Sequence, residues 1–497
     1  MAFWQSLTGN RRAKRPATGA ALPSLTTHFS ADFIVLSIFV AFVFVAGGGS
    51  RADMMSLVII RPIAVLLAAW WALRLGAEQL QGFRWLIVIA GAVALLVGAH
   101  LVPLPPAVWQ ALPGHDIVVD VDRAAGIAGM WRPLSIAPDA TWNALFSLSV
   151  PIAVGLGLLH LTRDERRALL PVLIGIATVS LMLTLAQDAA PGATALWFHR
   201  VTNSGDPVGL FANRNHNSVF LACLPLLLTV WAFDAEHARR AAMRKAVAAG
   251  LTLLIVVAII VAGSRAGLIA LGLALAGTAL LVPLSAITPK SPRLARWTKP
   301  VLIGLVAAFV VGAAAGVAYV VRSSENGGGG SGDAIDRIGA SSTDEFRIGF
   351  WQRTLDLTPD YLPLGSGAGS FVEAYQVGQP EDTVGPQYIN HAHNDYLEVA
   401  LTTGVPGVLL LLAILLFLAL RALAVWRTPP EKRRNVYLAR AASLALGIIA
   451  LASAVDYPVR VPSIAAFVVI LAVWLAQPRA ASGGAARSAM AFPNRLG

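Results

Sequence analysis

The sequence predicts an all-α polytopic membrane protein, and its composition and the spacing of its apolar runs both support that fold class. Of the 497 residues, 56% are hydrophobic and only 13% are charged, and the mean hydropathy is +0.67. Soluble globular domains are more polar than this. Apolar runs of about 17–25 residues, the length that crosses a bilayer, recur along most of the chain. An ordinary soluble domain is therefore excluded.

About twelve of these apolar runs are candidate transmembrane helices, within a range of ten to twelve. The last run is short, and only a few polar residues around Ser264 and Arg265 separate the seventh run from the eighth. The runs lie near 31–47, 54–74, 84–102, 143–161, 168–186, 217–233, 246–263, 266–285, 301–321, 405–423, 437–455 and 461–476.

The distribution of charge predicts the orientation of these helices. The formal net charge is +11 and the pI is about 10.4. The basic residues stand in short clusters between apolar runs, which is the pattern of the positive-inside rule and not of a nucleic-acid-binding face. With a cytoplasmic N-terminus, most Lys and Arg residues fall on the cytoplasmic side and most acidic residues on the other. We therefore expect both termini in the cytoplasm and no nucleic-acid partner.

This topology divides the chain into five parts. They are a cytoplasmic tail at 1–30 without a cleavable signal, transmembrane helices one to nine at 31–321 with an outer loop at about 103–142, a large outer loop at 322–404, transmembrane helices ten to twelve at 405–476, and a disordered cytoplasmic tail at 477–497.

The large outer loop contains the longest polar stretch between apolar runs. It begins with a glycine-rich linker at 323–330, whose composition is typical of a flexible chain. A short helix is expected from Thr343 to Leu357, because acidic residues crowd its start and apolar residues follow at helical spacing. The glycines of segment 365–369 predict turns.

His393 is the strongest candidate for a general base. It lies in the polar stretch 390–398, directly before an almost purely aliphatic run, and a neutral imidazole accepts a proton near neutral pH. On a helix it would stand above an apolar stripe that begins with Leu397, whereas His391 would face elsewhere. The alternative is an interfacial loop that anchors the helix start through Tyr396.

Arginines on the outer side are candidates for binding an anion, because the planar guanidinium matches phosphate oxygens. Arg265 lies near membrane depth, where a charge usually faces a cavity or an anionic partner. Arg347 lies on the expected short helix. Arg214 opens the sixth apolar run within the polar segment 213–217. Each has an alternative without a ligand. Arg265 could extend to the lipid headgroups, and Arg347 could be solvated or salt-bridged. Segment 213–217 could serve only to cap its helix.

No motif in the sequence points to a metal or a cofactor. Asp120 and Asp122 form a D-x-D pattern, but three residues match by chance often and no further carboxylate or histidine stands beside them. A phosphate-binding P-loop, a nucleophile elbow and a dinucleotide-binding glycine set are all missing from the sequence. The sequence therefore predicts no metal site and no cofactor.

Four stretches, taken in order, resemble the O-antigen ligase and polymerase family of bacterial inner-membrane proteins. The first outer loop, from Pro103 to Thr141, also looks like the ligase branch. The four stretches are Gly209–His216, Gly263–Gly267, Arg347 with Trp351 and the later Gly365–Gly367, and His393–Leu397 leading to Gly404–Gly407.

The resemblance implies an inverting, metal-independent glycosyltransferase whose large loop, with its short helices, is periplasmic. The donor would be a glycan on undecaprenyl diphosphate, and the acceptor a sugar hydroxyl of lipid A–core. His393 would remove the acceptor proton, while Arg265 and Arg347 would stabilise the diphosphate. Residues expected to bind substrate are Arg214, Asn215, Arg322, Arg337, Asn394 and Tyr396.

Two other functions stay open at this point. A polymerase of the same family would use a second lipid-linked glycan as acceptor, in O-antigen or exopolysaccharide synthesis. A transporter or flippase of a lipid-linked anion would instead show paired broken helices near the middle of the membrane, and the sequence has no such pairing.

Overall fold

The computed structural model describes residues 29–203, 205–234, 238–282, 342–379, 384, 389–429 and 436–477. Within these ranges the chain is predominantly helical and has a single pair of two-residue strands, which confirms the all-α class. The expected helix at 301–321, the glycine-rich linker, Arg322 and Arg337 lie outside the described residues, as do nearly all of both tails.

The elements are numbered in chain order over the described residues. The helices are α1 (Ala31–Ala46), α2 (Leu57–Ala72), α3 (Ala77–Ala99), α4 (Pro106–Trp109), α5 (Asp116–Ala124), α6 (Pro138–Ser147), α7 (Ser149–His160), α8 (Arg163–Ala189), α9 (Arg214–Phe233), α10 (Ala238–Val261), α11 (Arg265–Leu281), α12 (Ser342–Leu357), α13 (Phe371–Val377), α14 (Asp395–Trp426), α15 (Val436–Ala452) and α16 (Pro462–Ala476). Strands β1 (Pro103–Leu104) and β2 (Arg132–Pro133) pair antiparallel, and 3-10 turns occupy Thr194–Leu196, Thr358–Tyr361 and Pro458–Arg460.

Every expected apolar run within the described residues overlaps an observed helix. Six helical stretches there are long and apolar enough to cross a membrane, and five shorter apolar helices coincide with further expected runs. The chain is thus a multi-pass membrane protein, while the total of about twelve spans stays a prediction. The short helix expected from Thr343 is confirmed as α12. The tight break around Ser264 is confirmed as well, because α10 ends at Val261 and α11 starts at Arg265.

Helix α9 forms the centre of the helical core. Of its most apolar 18-residue window, 89% is buried inside the protein, whereas the corresponding share in α14 is 6%. Helices α8, α10, α11 and α15 pack around α9. Because neighbours surround α9 on several sides, the polar residues of its first turn are held at one end of the core, away from bulk water.

Helix α14 is broken at Gly404, directly before the apolar run expected from residue 405. Gly404 has φ 57° and ψ −153°, a conformation that glycine adopts without steric cost. The break leaves the carbonyls of Leu401 and Thr402 without partners in their own helix. They accept hydrogen bonds of 3.0 Å and 2.9 Å from the backbone N–H groups of Ser366 and Gly367. A turn of the large loop thus docks on the first part of α14.

The two outer loops are joined by the same turn. The backbone N–H of Ile136 donates to the carbonyl of Ser366 at 2.9 Å, and the N–H of Ala368 donates to Nδ1 of His100 at 2.9 Å. Within the first loop, fully buried Asp122 forms an ion pair with Arg132. Asp122 of the D-x-D pattern therefore has a structural role in holding the β1–β2 end of the loop.

Candidate active site

The carboxylate of Asp456, in the loop between α15 and α16, is the centre of a buried polar cluster. Asp456 is 2% exposed, and its Oδ2 accepts a hydrogen bond from Nδ2 of Asn215 at 2.9 Å. Its Oδ1 lies 3.3 Å from Nδ1 of His393 and 3.6 Å from Nε2 of His216. One guanidinium nitrogen of Arg347 lies 4.0 Å from Oδ2. Asp456 therefore links α9, α12 and the segment before α14.

The charge of Asp456 is maintained by these neighbours. Burial by itself would raise the pKa of this carboxyl, because the charged form loses its hydration. His216 and His393 outweigh that effect and hold the pKa of Asp456 well below its usual range. An ionised carboxylate without such partners would be strongly unfavourable in this position. The two imidazoles thus face a fixed negative charge.

Asn215 connects Asp456 to the turn between α10 and α11. The hydroxyl of Ser264 donates to Oδ1 of Asn215 at 2.8 Å, while the Asn215 amide donates to Asp456. Ser264 also caps α11 by accepting a hydrogen bond from the N–H of Gly267 at 3.0 Å. Gly263 has φ 64° and permits the tight turn. Two of the segments expected to line a site, 213–217 and 263–267, therefore meet here.

His393 lies in a strained turn that aims its ring at Asp456. Its φ of 52° makes it the only non-glycine residue with positive φ in the described ranges. Such a conformation costs on the order of 1–3 kcal/mol and persists only where its surroundings enforce it. The carbonyl of His393 accepts a hydrogen bond from the Trp351 indole at 3.2 Å, and the ring stacks 6.2 Å from that of Phe350. The side chain is 20% exposed.

The expected helical setting of His393 is wrong, although the residue does reach the site. Helix α14 begins at Asp395, and Asn394 is its N-cap, so His393 precedes the helix. Its direction is set by the positive-φ turn, not by a position above Leu397 on a helix face. The contact between His393 Nδ1 and Asp456 Oδ1 lies outside ordinary hydrogen-bond alignment, because the two groups are close but misdirected.

Asn394 and Tyr396 use their side chains to fix the start of α14. Oδ1 of Asn394 accepts hydrogen bonds from the N–H groups of Tyr396 at 3.0 Å and Leu397 at 3.2 Å. The Tyr396 hydroxyl donates to the carbonyl of Ala450 at 2.6 Å. These contacts support the anchoring role expected for Tyr396 and give Asn394 a similar role, while contact of either residue with a substrate stays a prediction.

Three arginines come together beside this cluster, from three different helices. Arg265 is the first residue of α11, Arg347 lies on α12, and Arg214 is the first residue of α9. The guanidinium of Arg265 is close enough to the other two for electrostatic repulsion. Arg214 also forms an ion pair of 3.3 Å with Asp206. The positive ends of the α9 and α11 dipoles lie at Arg214 and Arg265. Like charges and two helix N-termini in one region favour an anionic ligand, and guanidinium forks match phosphate oxygens.

Tyr457 packs against three histidine rings. Its ring centroid lies 5.0 Å from that of His216, 4.3 Å from that of His391 and 4.8 Å from that of His393. Burial, followed by the neighbouring negative charge of Asp456, raises the pKa of the Tyr457 hydroxyl, which therefore stays protonated. The ring of Tyr457 therefore packs against the imidazoles and limits their orientation, and its hydroxyl is not a proton acceptor.

A second charged cluster lies behind His393. Arg460 donates from Nε to Oδ1 of Asp395 at 2.9 Å and pairs with Oε1 of Glu398 at 3.1 Å. Glu398 is 1% exposed, and its Oε1 also contacts Nδ1 of His391 at 3.0 Å. Its Oε2 accepts a hydrogen bond from the backbone N–H of Ala392 at 3.0 Å.

Sequence reasoning missed Asp456, Tyr457, Arg460 and Glu398, and gave His216 no role of its own. A signal was available for the first three. They lie in a short polar segment between the last two apolar runs, which the charge distribution places on the same side as His393. Ionisable residues at such a membrane edge are functional candidates by default.

Two of the three arginines, Arg265 and Arg347, and the candidate base His393 lie in a region that matches a known family. The family model described as O-Antigen ligase matches residues 250–412, about a third of the chain. A search of curated proteins finds no match. The matched region includes Arg265, Arg347 and His393, whereas Asn215 and Asp456 lie outside it. Residues 250–412 are therefore similar to the O-antigen ligase family.

Proposed function

We propose that the protein is an inverting glycosyltransferase that moves a glycan from undecaprenyl diphosphate to a sugar hydroxyl of lipid A–core at the periplasmic face. The observation that carries this proposal is the close approach of His393 to the buried carboxylate of Asp456, with Arg347 at 4.0 Å from that carboxylate and Arg265 near Arg347. A base and several fixed cations in one place suit a reaction that removes one proton and releases a diphosphate.

His393 is the general base in this proposal. Its Nδ1 faces Asp456, so Nε2 is the ring nitrogen that takes the proton from the acceptor hydroxyl. The acceptor oxygen then forms a bond to the anomeric carbon from the face opposite the leaving group, which inverts that carbon. The negative charge of Asp456, 3.3 Å from Nδ1, stabilises the imidazolium that forms.

The arginines act on the leaving group. As the bond between the anomeric carbon and the diphosphate oxygen breaks, negative charge grows on the diphosphate. Arg265 and Arg347 lie in electrostatic contact with each other and neutralise that charge, with Arg214 beside them. The Asn215 side chain forms hydrogen bonds with both Ser264 and Asp456, so its role in this proposal is to fix the position of the Asp456 carboxylate.

Two substitutions test these roles in purified, bilayer-inserted protein with a lipid-linked donor and an added acceptor. His393→Ala should lower the transfer rate by roughly 10²–10⁴-fold, the usual contribution of a general base. Arg265→Lys keeps the charge but loses the planar fork, so a large loss is also expected. Arg123→Lys, at an exposed arginine of the first outer loop, is the matched control. Normal glycan transfer by His393→Ala would overturn the proposal. Movement of the lipid-linked glycan across the bilayer without glycan transfer would indicate a transporter.

A deletion experiment identifies the acceptor. In the native host, loss of a ligase should leave full-length glycan on the lipid carrier. A lipopolysaccharide gel should then show a lipid A–core that carries no polymer. Single repeats attached to the core would show instead that the protein is a polymerase, with a second lipid-linked glycan as its acceptor.

A further inference from the structure

The side chains of Arg460, Asp395, Glu398 and His391 form one connected unit, here called the Arg460 cluster. Arg460 bridges two carboxylates, with 2.9 Å to Asp395 and 3.1 Å to Glu398. Glu398 extends the chain to Nδ1 of His391 at 3.0 Å. A nearly inaccessible Glu398 is expensive to keep charged, and the fold retains it with a full set of partners.

The Arg460 cluster joins the two loops that carry His393 and Asp456. Arg460 follows Asp456 by four positions in the loop between α15 and α16, whereas Asp395 and Glu398 follow His393 in the first turn of α14. The backbone adds a second link, because the N–H of Asp395 donates to the carbonyl of Ser453 at 2.8 Å. The relative position of the two loops therefore depends on these contacts.

The Arg460 cluster also holds the strained turn at His393. Oε2 of Glu398 accepts from the N–H of Ala392, immediately before His393, and Asn394 caps the helix immediately after it. His393 therefore lies between two fixed backbone positions while its own φ is 52°. Without the carboxylate of Glu398, the Ala392 N–H loses its acceptor and the turn can relax to an ordinary conformation.

We propose that Glu398 and Arg460 are positioning residues that set the contact between the His393 ring and Asp456. The proposal rests on the function proposed above and adds two residues that act through His393 without touching substrate. It explains why a buried ion pair stands behind the base, where an apolar pair of similar size would pack at least as stably.

A double-mutant cycle distinguishes positioning from a general contribution to stability. Glu398→Ala should lower kcat by about 10²-fold, the order of loss that a misplacement near 1 Å produces, with KM for the donor nearly unchanged. Asp456→Asn should lower kcat by a similar factor. In the Asp456→Asn background, Glu398→Ala should add little further loss, because the contact that it sets is already gone.

Two conservative variants and one control accompany this cycle. Glu398→Gln retains an acceptor for the Ala392 N–H and should recover most of the lost kcat. Arg460→Lys cannot bridge Asp395 and Glu398 with one planar group, so a loss of kcat is expected even if Glu398→Ala fails to fold. Glu373→Ala, at an exposed glutamate on α13, should behave as wild type.

Additive losses in the cycle, or an unchanged kcat in folded Glu398→Ala, would overturn the positioning role. That failure differs from failure of the proposed function. If His393→Ala transfers glycan normally, the base assignment is wrong; if His393→Ala is inactive while the cycle is additive, only the positioning role is wrong.

Discussion

At the scale of single residues, the carboxylate of Asp456 connects the side chains of the candidate site. His393 was identifiable from sequence as a histidine at a membrane edge, but its orientation was not, because the expected helix face does not exist there. Asp456 supplies the fixed charge that turns an edge histidine into a candidate base. Its partner Asn215 lies 241 residues away in the sequence, so no local pattern could pair them.

The depressed pKa of Asp456 predicts an acid-dependent part of the stability. A carboxyl whose pKa falls on folding contributes stability that is fully present above its unfolded value, ordinarily 3.8, and is lost as the pH falls through the lower folded value. Asp456→Asn should therefore unfold at a lower temperature than wild type at pH 7, and the gap should narrow below about pH 4. Thermal unfolding in detergent from pH 7 to pH 3 measures this gap. A gap independent of pH would contradict the prediction.

At the scale of elements, the break in α14 decides how the large outer loop meets the membrane part. Gly404 ends the first segment of the helix, and the freed carbonyls of Leu401 and Thr402 receive the turn at Ser366 and Gly367. The sequence predicts that the apolar run starts at residue 405 and that segment 365–369 forms turns. The sequence does not show that these two features contact each other, because the contact forms only when the chain between them folds back.

Replacement of Gly404 should disrupt this junction. A Cβ atom there would lie 2.6 Å from the carbonyl carbon of Leu364 and 2.7 Å from the nitrogen of Gly365, and the φ of 57° is strained for other residues. Gly404→Ala should lower the amount of folded protein and its unfolding temperature markedly. Gly175→Ala on α8, where a Cβ meets nothing within 4 Å, is the matched control and should be close to neutral. Equal unfolding temperatures for the two variants would refute the steric argument.

At the scale of the whole molecule, the central position of α9 brings distant polar segments to one end of the helical core. Helices α9 and α11 pack together, and both begin at the site, at Arg214 and Arg265. The loop between α15 and α16 reaches the same end. The charge distribution predicts that this end faces the periplasm, where lipid-linked glycans are presented.

Cysteine labelling tests that orientation. Cys223 is fully buried, so wild-type protein should not react with a membrane-impermeant maleimide. Asp360→Cys, at an exposed position of the large outer loop, should be labelled in spheroplasts of intact inner membrane. Arg240→Cys, exposed between α9 and the apolar part of α10, should be labelled only after permeabilisation. Labelling of Arg240→Cys in spheroplasts, with Asp360→Cys labelled only after permeabilisation, would show that the orientation predicted from the charge distribution is wrong.

The sequence by itself determines the membrane class, most helix positions, the predicted orientation and the likeness to O-antigen ligases. These properties depend on local quantities: the length of an apolar run, a capping residue, the charge of a short loop. Only the tertiary structure decides that Asn215, His216, His393 and Asp456 share one carboxylate-centred cluster, with Glu398 and Arg460 behind it. Those contacts join segments that are far apart in the chain, and packing around α9 brings them together.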